Sequence, residues 1–177
     1  DAAAQGELFR SEDTGRPPGQ GALFTRPGEE PGSQVGPESG RRGGLVSRYG
    51  FANFVTGPGN QFARAAAIAV AGQPGTLYNP LFVFGGVGLG KTHLVNAIGN
   101  AILEREPTAR VLFLSAETFT NRLIDSIARN KAAEFKNRMR KVDCLILDDV
   151  QFLARKERTQ EEFFHIFNAL YESGRQI

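Results

Sequence analysis

Apolar residues are scarce and unpatterned up to residue 47 and then recur at regular spacings, so the chain changes character once. Tyr49-Gly-Phe-Ala-Asn-Phe-Val55 opens the patterned part; Gly57-Pro-Gly59 predicts a turn, and Asn60 stands where it can cap an alanine-rich helix running to about Gly72. Three short, wholly apolar runs follow, Leu81–Phe84, Val111–Leu114 and Cys144–Leu147, each the pattern of a strand buried on both faces. Between them lie stretches of helical spacing. Leu94, Ala97, Ile98, Ala101 and Ile102 share one face of a helix from His93 to about Glu104, and Phe119, Leu123, Ile124 and Ile127 share one face of a helix led by Ser115. A shorter, strongly basic helix spans Lys131 to Lys141. Thr159-Gln-Glu-Glu162 has the spacing of a capping box, which predicts a helix starting there, with Phe163, Ile166, Phe167 and Leu170 inward and Gly174 at its end. Strands alternating with helices predict an α/β fold with a parallel sheet and right-handed crossovers.

Residues 1–47 read as a Gly/Pro-rich disordered linker. As far as Gly44 the stretch is roughly one-third Gly and Pro and cannot bury enough apolar surface to offset chain entropy, although the isolated pairs Leu8-Phe9 and Leu23-Phe24 offer something to dock. Residues 48–177 form the folded part. The chain has 177 residues, a formal charge of +2, 41% hydrophobic and 23% charged residues, which suits one domain of ordinary size. So small a net charge does not by itself imply a nucleic-acid partner. The single cysteine, Cys144, can form no internal disulfide and reads as a small buried strand residue. No membrane segment or secretory leader is recognisable, which makes the cytoplasm the default. The chain begins at Asp1 and stops at Arg175-Gln-Ile177, where another strand would start, so a fragment at both ends is expected.

The chemistry concentrates at Gly85-Gly-Val-Gly-Leu-Gly-Lys-Thr92. Gly85, Gly90, Lys91 and Thr92 meet the pattern G-x-x-x-x-G-K-[ST], and the run lies after a predicted strand and at a helix N-terminus, where the mechanism requires it. A plain glycine-rich turn would need neither four glycines nor Lys-Thr. Glycine lets successive N–H groups of Gly86, Val87, Gly88, Leu89, Gly90, Lys91 and Thr92 converge on phosphate oxygens, helped by the positive helix end. Lys91 is expected to reach the β and γ phosphates of ATP, and Thr92 to present its hydroxyl to Mg²⁺. Magnesium also needs a carboxylate. Asp148-Asp149 follows the third apolar run, and parallel strands put their carboxyl ends on the same sheet edge as the loop, so Asp148 is expected to hold Mg²⁺ while Asp149 orients or deprotonates the attacking water. His93 and His165 read as packing or surface residues, since phosphoryl transfer needs no imidazole nucleophile.

With Gly85–Leu94 and Leu147-Asp-Asp-Val-Gln-Phe152, the chain closely resembles the AAA+ domain of the bacterial replication-initiator (DnaA) family, over nearly everything from Arg48 onward. Phe51-Ala-Asn-Phe-Val55, Gly57 and Asn60 are similar to the family's leading segment, which implies that Phe54, Val55 and Asn60 lie against adenine and ribose. Lys156-Glu-Arg-Thr-Gln-Glu-Glu-Phe-Phe164 is a further family stretch, and Lys156, Arg158 and Thr159 match positions that touch single-stranded DNA. The resemblance implies a P-loop NTPase (AAA+) fold of three layers, a parallel sheet with helices on both faces, truncated before its central strand. That strand would insert between the acidic strand and the loop strand, beginning at Ile177. It also implies a protein that binds ATP-Mg, forms a filament on the chromosomal origin, opens the duplex there and is reset by hydrolysis. The helices from about Ala116 to Lys141 match an insertion that wedges neighbouring subunits into a spiral. A duplex-reading helix-turn-helix and trans-acting arginines are expected beyond the present residues, and a replicative helicase or its loader is an expected partner. Weak ATPase activity is expected of the full-length protein and none of this stretch alone. Most AAA+ ATPases have glutamate where this chain has Asp149; initiators share the Asp-Asp form, and the shorter side chain suits slow turnover.

Residue chemistry by itself is less committal about DNA. Lys131, Lys136, Arg138, Arg140 and Lys141 are a basic cluster, but charge runs on short helices are usually solvated faces, and Lys156 to Thr159 also reads as a charged loop whose threonine is occupied by capping. Two other functions share these motifs: a helicase loader of the DnaC type, whose loop also ends Gly-Lys-Thr-His-Leu, and a nucleotide-binding regulator that does no chemistry.

Overall fold

The computed structural model describes residues 43–154 and 156–177. The expected linker lies outside the described residues up to position 42, and its last residues are packed: Leu45 is buried against the helix that follows the glycine loop.

The helices are α1 (Gln61–Gly72), α2 (Lys91–Arg105), α3 (Ala116–Ala128), α4 (Ala132–Met139) and α5 (Glu157–Glu172), and the strands are β1 (Val111–Ser115) and β2 (Cys144–Asp148). Single 3₁₀ turns cover Phe51–Asn53 and Val150–Leu153. β1 and β2 pair in parallel, in register from Val111 opposite Cys144 to Ser115 opposite Asp148. Alternate strand residues serve two cores, as the two-residue period of a pleated strand requires. Leu112, Leu114 and Leu145 face α3, α4 and α5, where Phe119, Phe135, Ile166 and Leu170 are buried. Val111, Cys144 and Ile146 face α1 and α2, with Val70, Leu94, Ile98 and Ile102. Helices therefore cover both faces of the sheet, in three layers.

The chain end takes the position expected of the central strand. Gln176 forms a parallel bridge with Cys144, its carbonyl accepts from Leu145 N–H at 2.9 Å, and Ile177 O accepts from Leu81 N–H at 2.9 Å. Residues 176–177 thus enter between β2 and the run Leu81–Phe84. That run is not the doubly buried strand its apolarity predicts. Residues 81–84 are in no assigned strand, with Phe82 66% and Phe84 82% exposed. Beyond Leu81 their N–H and C=O groups meet no ladder partner among the described residues, and without a neighbouring strand to pair with the run forms no ladder.

Two caps also differ from expectation. Asn60 precedes α1 but makes no side-chain cap; its Oδ1 accepts from Gly57 N–H at 2.8 Å and its Nδ2 donates to Val55 O at 3.0 Å, fastening the preceding turn instead. α5 begins at Glu157, so Thr159 lies inside its first turn, is buried, and caps nothing. Ser115 behaves as its type predicts, accepting from Thr118 N–H at 3.1 Å at the start of α3.

Candidate functional site

The glycine run joins residues 81–84 to the N-terminus of α2, and every residue from Gly85 to Leu89 is exposed. Gly90 caps the helix at φ +81°, and a Cβ there would stand 3.1 Å from the ring of Phe54, so the position needs glycine both for its backbone and for the aromatic residue packed on it. Lys91 Nζ donates to Gly85 O at 3.0 Å and to Gly86 O at 2.7 Å. The ammonium is thereby held over the loop, where phosphate oxygens can replace the two carbonyls as acceptors.

α2 and β2 meet at this point. Thr92 Oγ1 donates to Asp148 Oδ2 at 2.7 Å, and Asp148 Oδ1 accepts from Asp149 N–H at 3.0 Å. A hydroxyl and a carboxylate oxygen so close form an all-oxygen pair of the kind that holds Mg²⁺. Among the described residues no group of three or more His, Cys, Asp or Glu side chains could hold a metal. A magnesium ion at this pair would complete its shell with water and phosphate oxygens, as it does in nucleotide sites. Asp149 is exposed at φ +55°, the left-handed region, and its Oδ1 accepts from Gln151 Nε2 at 3.1 Å. The two carboxylates accordingly differ: one is tied to the threonine, the other is turned toward solvent beside an amide.

These groups line a cleft of about 670 Å³ that includes Tyr49, Phe84, Gly85, Val87, Lys91, Thr92, Asp148, Asp149 and Gln151. Tyr49 and His93, which line it, belong to an aromatic stack. Tyr49 lies on His93 with ring centres 4.7 Å apart, Phe54 meets His93 edge-on at 5.4 Å, and His93 Nε2 is 2.9 Å from Gly50 O. His93 is thus held by ring packing and a backbone contact at the lining of the cleft. Phe54 is buried behind Gly90, Val55 is 85% exposed, and Asn60 holds the turn behind them.

Tyr49, Gln151 and Phe84 line the cleft without having been singled out by sequence. Gln151 did carry a signal, two residues past Asp149 within Leu147–Phe152; nothing in the local spacing marks Tyr49 or Phe84. Cys144 lies one strand-length from the site but is no nucleophile, since burial pushes its thiol up to about 12.

The positions matched to DNA contacts sit at the start of α5. Lys156 and Arg158 are exposed, whereas Thr159 keeps 8% of its surface, so its side chain offers little to a ligand. Gln160 Nε2 donates to Leu153 O at 2.9 Å, which fastens this end of α5 to the turn after the acidic pair. In the basic cluster, Lys136 is paired with Glu162 of α5 at 2.9 Å.

The model of the bacterial DnaA ATPase domain family matches residues 45–177. The chromosomal replication initiator protein DnaA of a Thermus thermophilus strain is 56% identical over 144 residues, which is 81% of this chain and 33% of that protein. The protein of the same name from Deinococcus deserti is 58% identical over 141 residues, covering 80% and 31%. Domain III of the Thermotoga maritima replication initiation protein DnaA superimposes with a TM-score of 0.73 at 53% identity, over 75% of this chain and 55% of that one. A replication initiator DnaA bound to AMPPCP and single-stranded DNA gives 0.72 at 45% identity, over 75% and 41%. The chain spans about a third of the length of the curated relatives it matches. Fold, cleft and matches agree, and the chain belongs to the bacterial DnaA ATPase-domain family, an α/β P-loop NTPase domain of the AAA+ class.

Proposed function

We propose that this chain is the nucleotide-binding part of an ATP-switched replication initiator. The observation that carries the reading is the 2.7 Å contact between Thr92 and Asp148, which brings the glycine loop and the acidic strand end together in one cleft. The backbone N–H groups of Gly86 to Thr92 bind the phosphates, and Lys91 exchanges its loop carbonyls for β and γ oxygens. Thr92 and Asp148 would hold the metal, for which Mg²⁺ is the fitting ion, and it would supply charge neutralisation to the phosphates. Asp149 orients or deprotonates the attacking water, and its short side chain suits the slow hydrolysis of a switch. Phe54, Val55, Asn60 and Tyr49 form the adenine and ribose side. The AMPPCP-bound relative supports nucleotide binding here.

The switch acts on DNA. Lys156 and Arg158, exposed at the start of α5 and joined through Gln160 to the turn after Asp149, contact single-stranded origin DNA, as the DNA-bound relative suggests. α3 and α4 separate neighbouring subunits in a filament, and a further domain reads duplex DNA. A replicative helicase or its loader is recruited to the opened origin, in the cytoplasm. Among the described residues no helix is long and apolar enough to cross a membrane. The relatives favour the initiator over a helicase loader.

Equilibrium ATP binding and turnover by the full-length protein test the site. Lys91→Ala should weaken Mg-ATP binding by about 100-fold, the loss of two charge-assisted hydrogen bonds. Asp149→Asn should keep binding and lose turnover. Wild-type affinity in Lys91→Ala would remove the loop from the account, and binding without any turnover by the wild type would favour the non-hydrolysing regulator.

A further inference from the structure

Two asparagines on α2 are buried where apolar residues would be expected. Asn96 is 0% and Asn100 3% exposed, one turn apart on the face that packs beneath the segment leading to the cleft. A buried amide is costly unless its hydrogen bonds are made. Asn96 Oδ1 accepts from Val46 N–H at 2.8 Å, and its Nδ2 donates to Thr92 O at 2.7 Å. Asn100 Nδ2 donates to Val46 O at 2.9 Å and to Tyr49 O at 2.8 Å. The amide orientations follow from the partners, since a backbone N–H can only donate and a carbonyl only accept. Both main-chain groups of Val46 are thus read by side chains of one helix, much as a neighbouring strand would read them.

Gly99 lies between the two asparagines. A Cβ there would fall 2.7 Å and 2.8 Å from the methyl carbons of Leu45, so the helix carries a notch that seats the same segment. Glycine within a helix costs about 1 kcal/mol relative to alanine, and here that cost accompanies a close approach. Asn96, Gly99 and Asn100 are all turned to residues 45–49, and Asn96 also holds the carbonyl of Thr92, whose hydroxyl meets Asp148. Tyr49, whose carbonyl Asn100 holds, forms the cleft wall and stacks on His93.

We propose that Asn96 and Asn100 are positioning residues of the nucleotide site: they fix the segment 46–49 so that Tyr49 forms the base-side wall, and thereby set affinity for the nucleoside part of ATP independently of the phosphate grip. The inference rests on the nucleotide-site reading and adds a division of labour within it. One face of α2 governs the base side through Tyr49, while its N-terminus governs the phosphates. Neither asparagine touches the ligand.

Competition binding on the full-length protein with Mg-ATP and with magnesium tripolyphosphate separates the two functions. Asn100→Ala should weaken ATP by about tenfold, the effect of losing one or two net hydrogen bonds, while tripolyphosphate changes less than about twofold. Tyr49→Ala should do the same. The double variant Asn100→Ala/Tyr49→Ala should bind ATP no worse than Tyr49→Ala alone, because both act through one wall. Parallel losses of ATP and tripolyphosphate, additive losses in the double variant, or an unchanged ATP-to-tripolyphosphate ratio would overturn the inference. If an asparagine variant does not fold, the half-exposed Tyr49 still decides, since an unchanged ratio in Tyr49→Ala removes the wall on which the proposal depends. Failure of the wild type to bind ATP at all would instead strike the nucleotide-site reading, and it is seen before any variant is compared.

Discussion

Replacing Gly43 by alanine puts a methyl group where the fold has no room for one. Gly43 lies along the outer edge of β1 at φ +50°, and its carbonyl accepts from Phe113 N–H at 2.8 Å. A Cβ at this position would stand 1.8 Å from the carbonyl oxygen of Val111. The clash is with backbone, so no side chain can swing aside and the segment itself must lift. Left-handed backbone costs alanine about 1–2 kcal/mol, and losing the Phe113 bond costs about 1 kcal/mol where water can replace it. The stiffer unfolded chain returns about 0.4–1 kcal/mol. The net loss is about 2 kcal/mol, or a fall of about 4–8 °C in the Tm of a domain this size. Circular dichroism of the full-length protein measures the transition, and hydrogen exchange of a peptide covering residues 111–115 reports the Phe113 amide, which should exchange faster in Gly43→Ala. A Tm within about 1 °C of wild type together with unchanged exchange would refute the edge contact and the magnitude drawn from it.

Phe119→Ala should cost about 3–5 kcal/mol in urea unfolding, because the ring is fully buried between Phe135 and Phe163 at 5.7 Å from each; a loss under about 1.5 kcal/mol would show that the core behind α3, α4 and α5 is not packed as described. Asp143 is held below its ordinary carboxylate value of 3.8 chiefly by the side-chain hydrogen bond from Arg110, with further help from Arg175. A lowered folded-state value means that its contribution is complete above the unfolded value and is lost as pH falls through the folded one, so Asp143→Asn should flatten the acid limb of a stability–pH curve below about 4 and an unchanged limb would contradict the pairing. Cys144, 1% exposed and with its thiol raised to about 12, should resist a thiol-reactive reagent until the domain unfolds.

The phosphate loop and the acidic pair were legible because their chemistry is contiguous. Backbone groups that converge on one phosphate must follow one another in the chain, and a carboxylate at the end of a buried strand is marked by the apolar run before it. Helical periodicity likewise located α2, α3 and α5, whose inward residues Leu94, Ile98, Phe119, Leu123, Ile166 and Leu170 are buried. What was not legible depends on distant partners. Leu81–Phe84 reads as a strand buried on both faces, yet a strand needs a ladder partner along its length, and among the described residues only Leu81 has one. Thr159 has the right type and spacing for a cap, but the helix gains another turn because residues 157–159 are free to join it, and the threonine goes inward. Asn96 and Asn100 look like polar breaks in the apolar face of α2; their burial makes sense only once Val46 and Tyr49 are seen above them. Gly43 belongs by composition to the linker, and only the edge of β1 explains why it must be glycine.

Nucleotide-dependent DNA binding is the direct test of an ATP switch. Fluorescence anisotropy of labelled single-stranded DNA with the full-length protein, in Mg-ATP and in Mg-ADP, should show binding at least about tenfold tighter with ATP, a difference abolished by Lys91→Ala and weakened overall by Arg158→Ala. Equal binding in the two nucleotides would contradict the account.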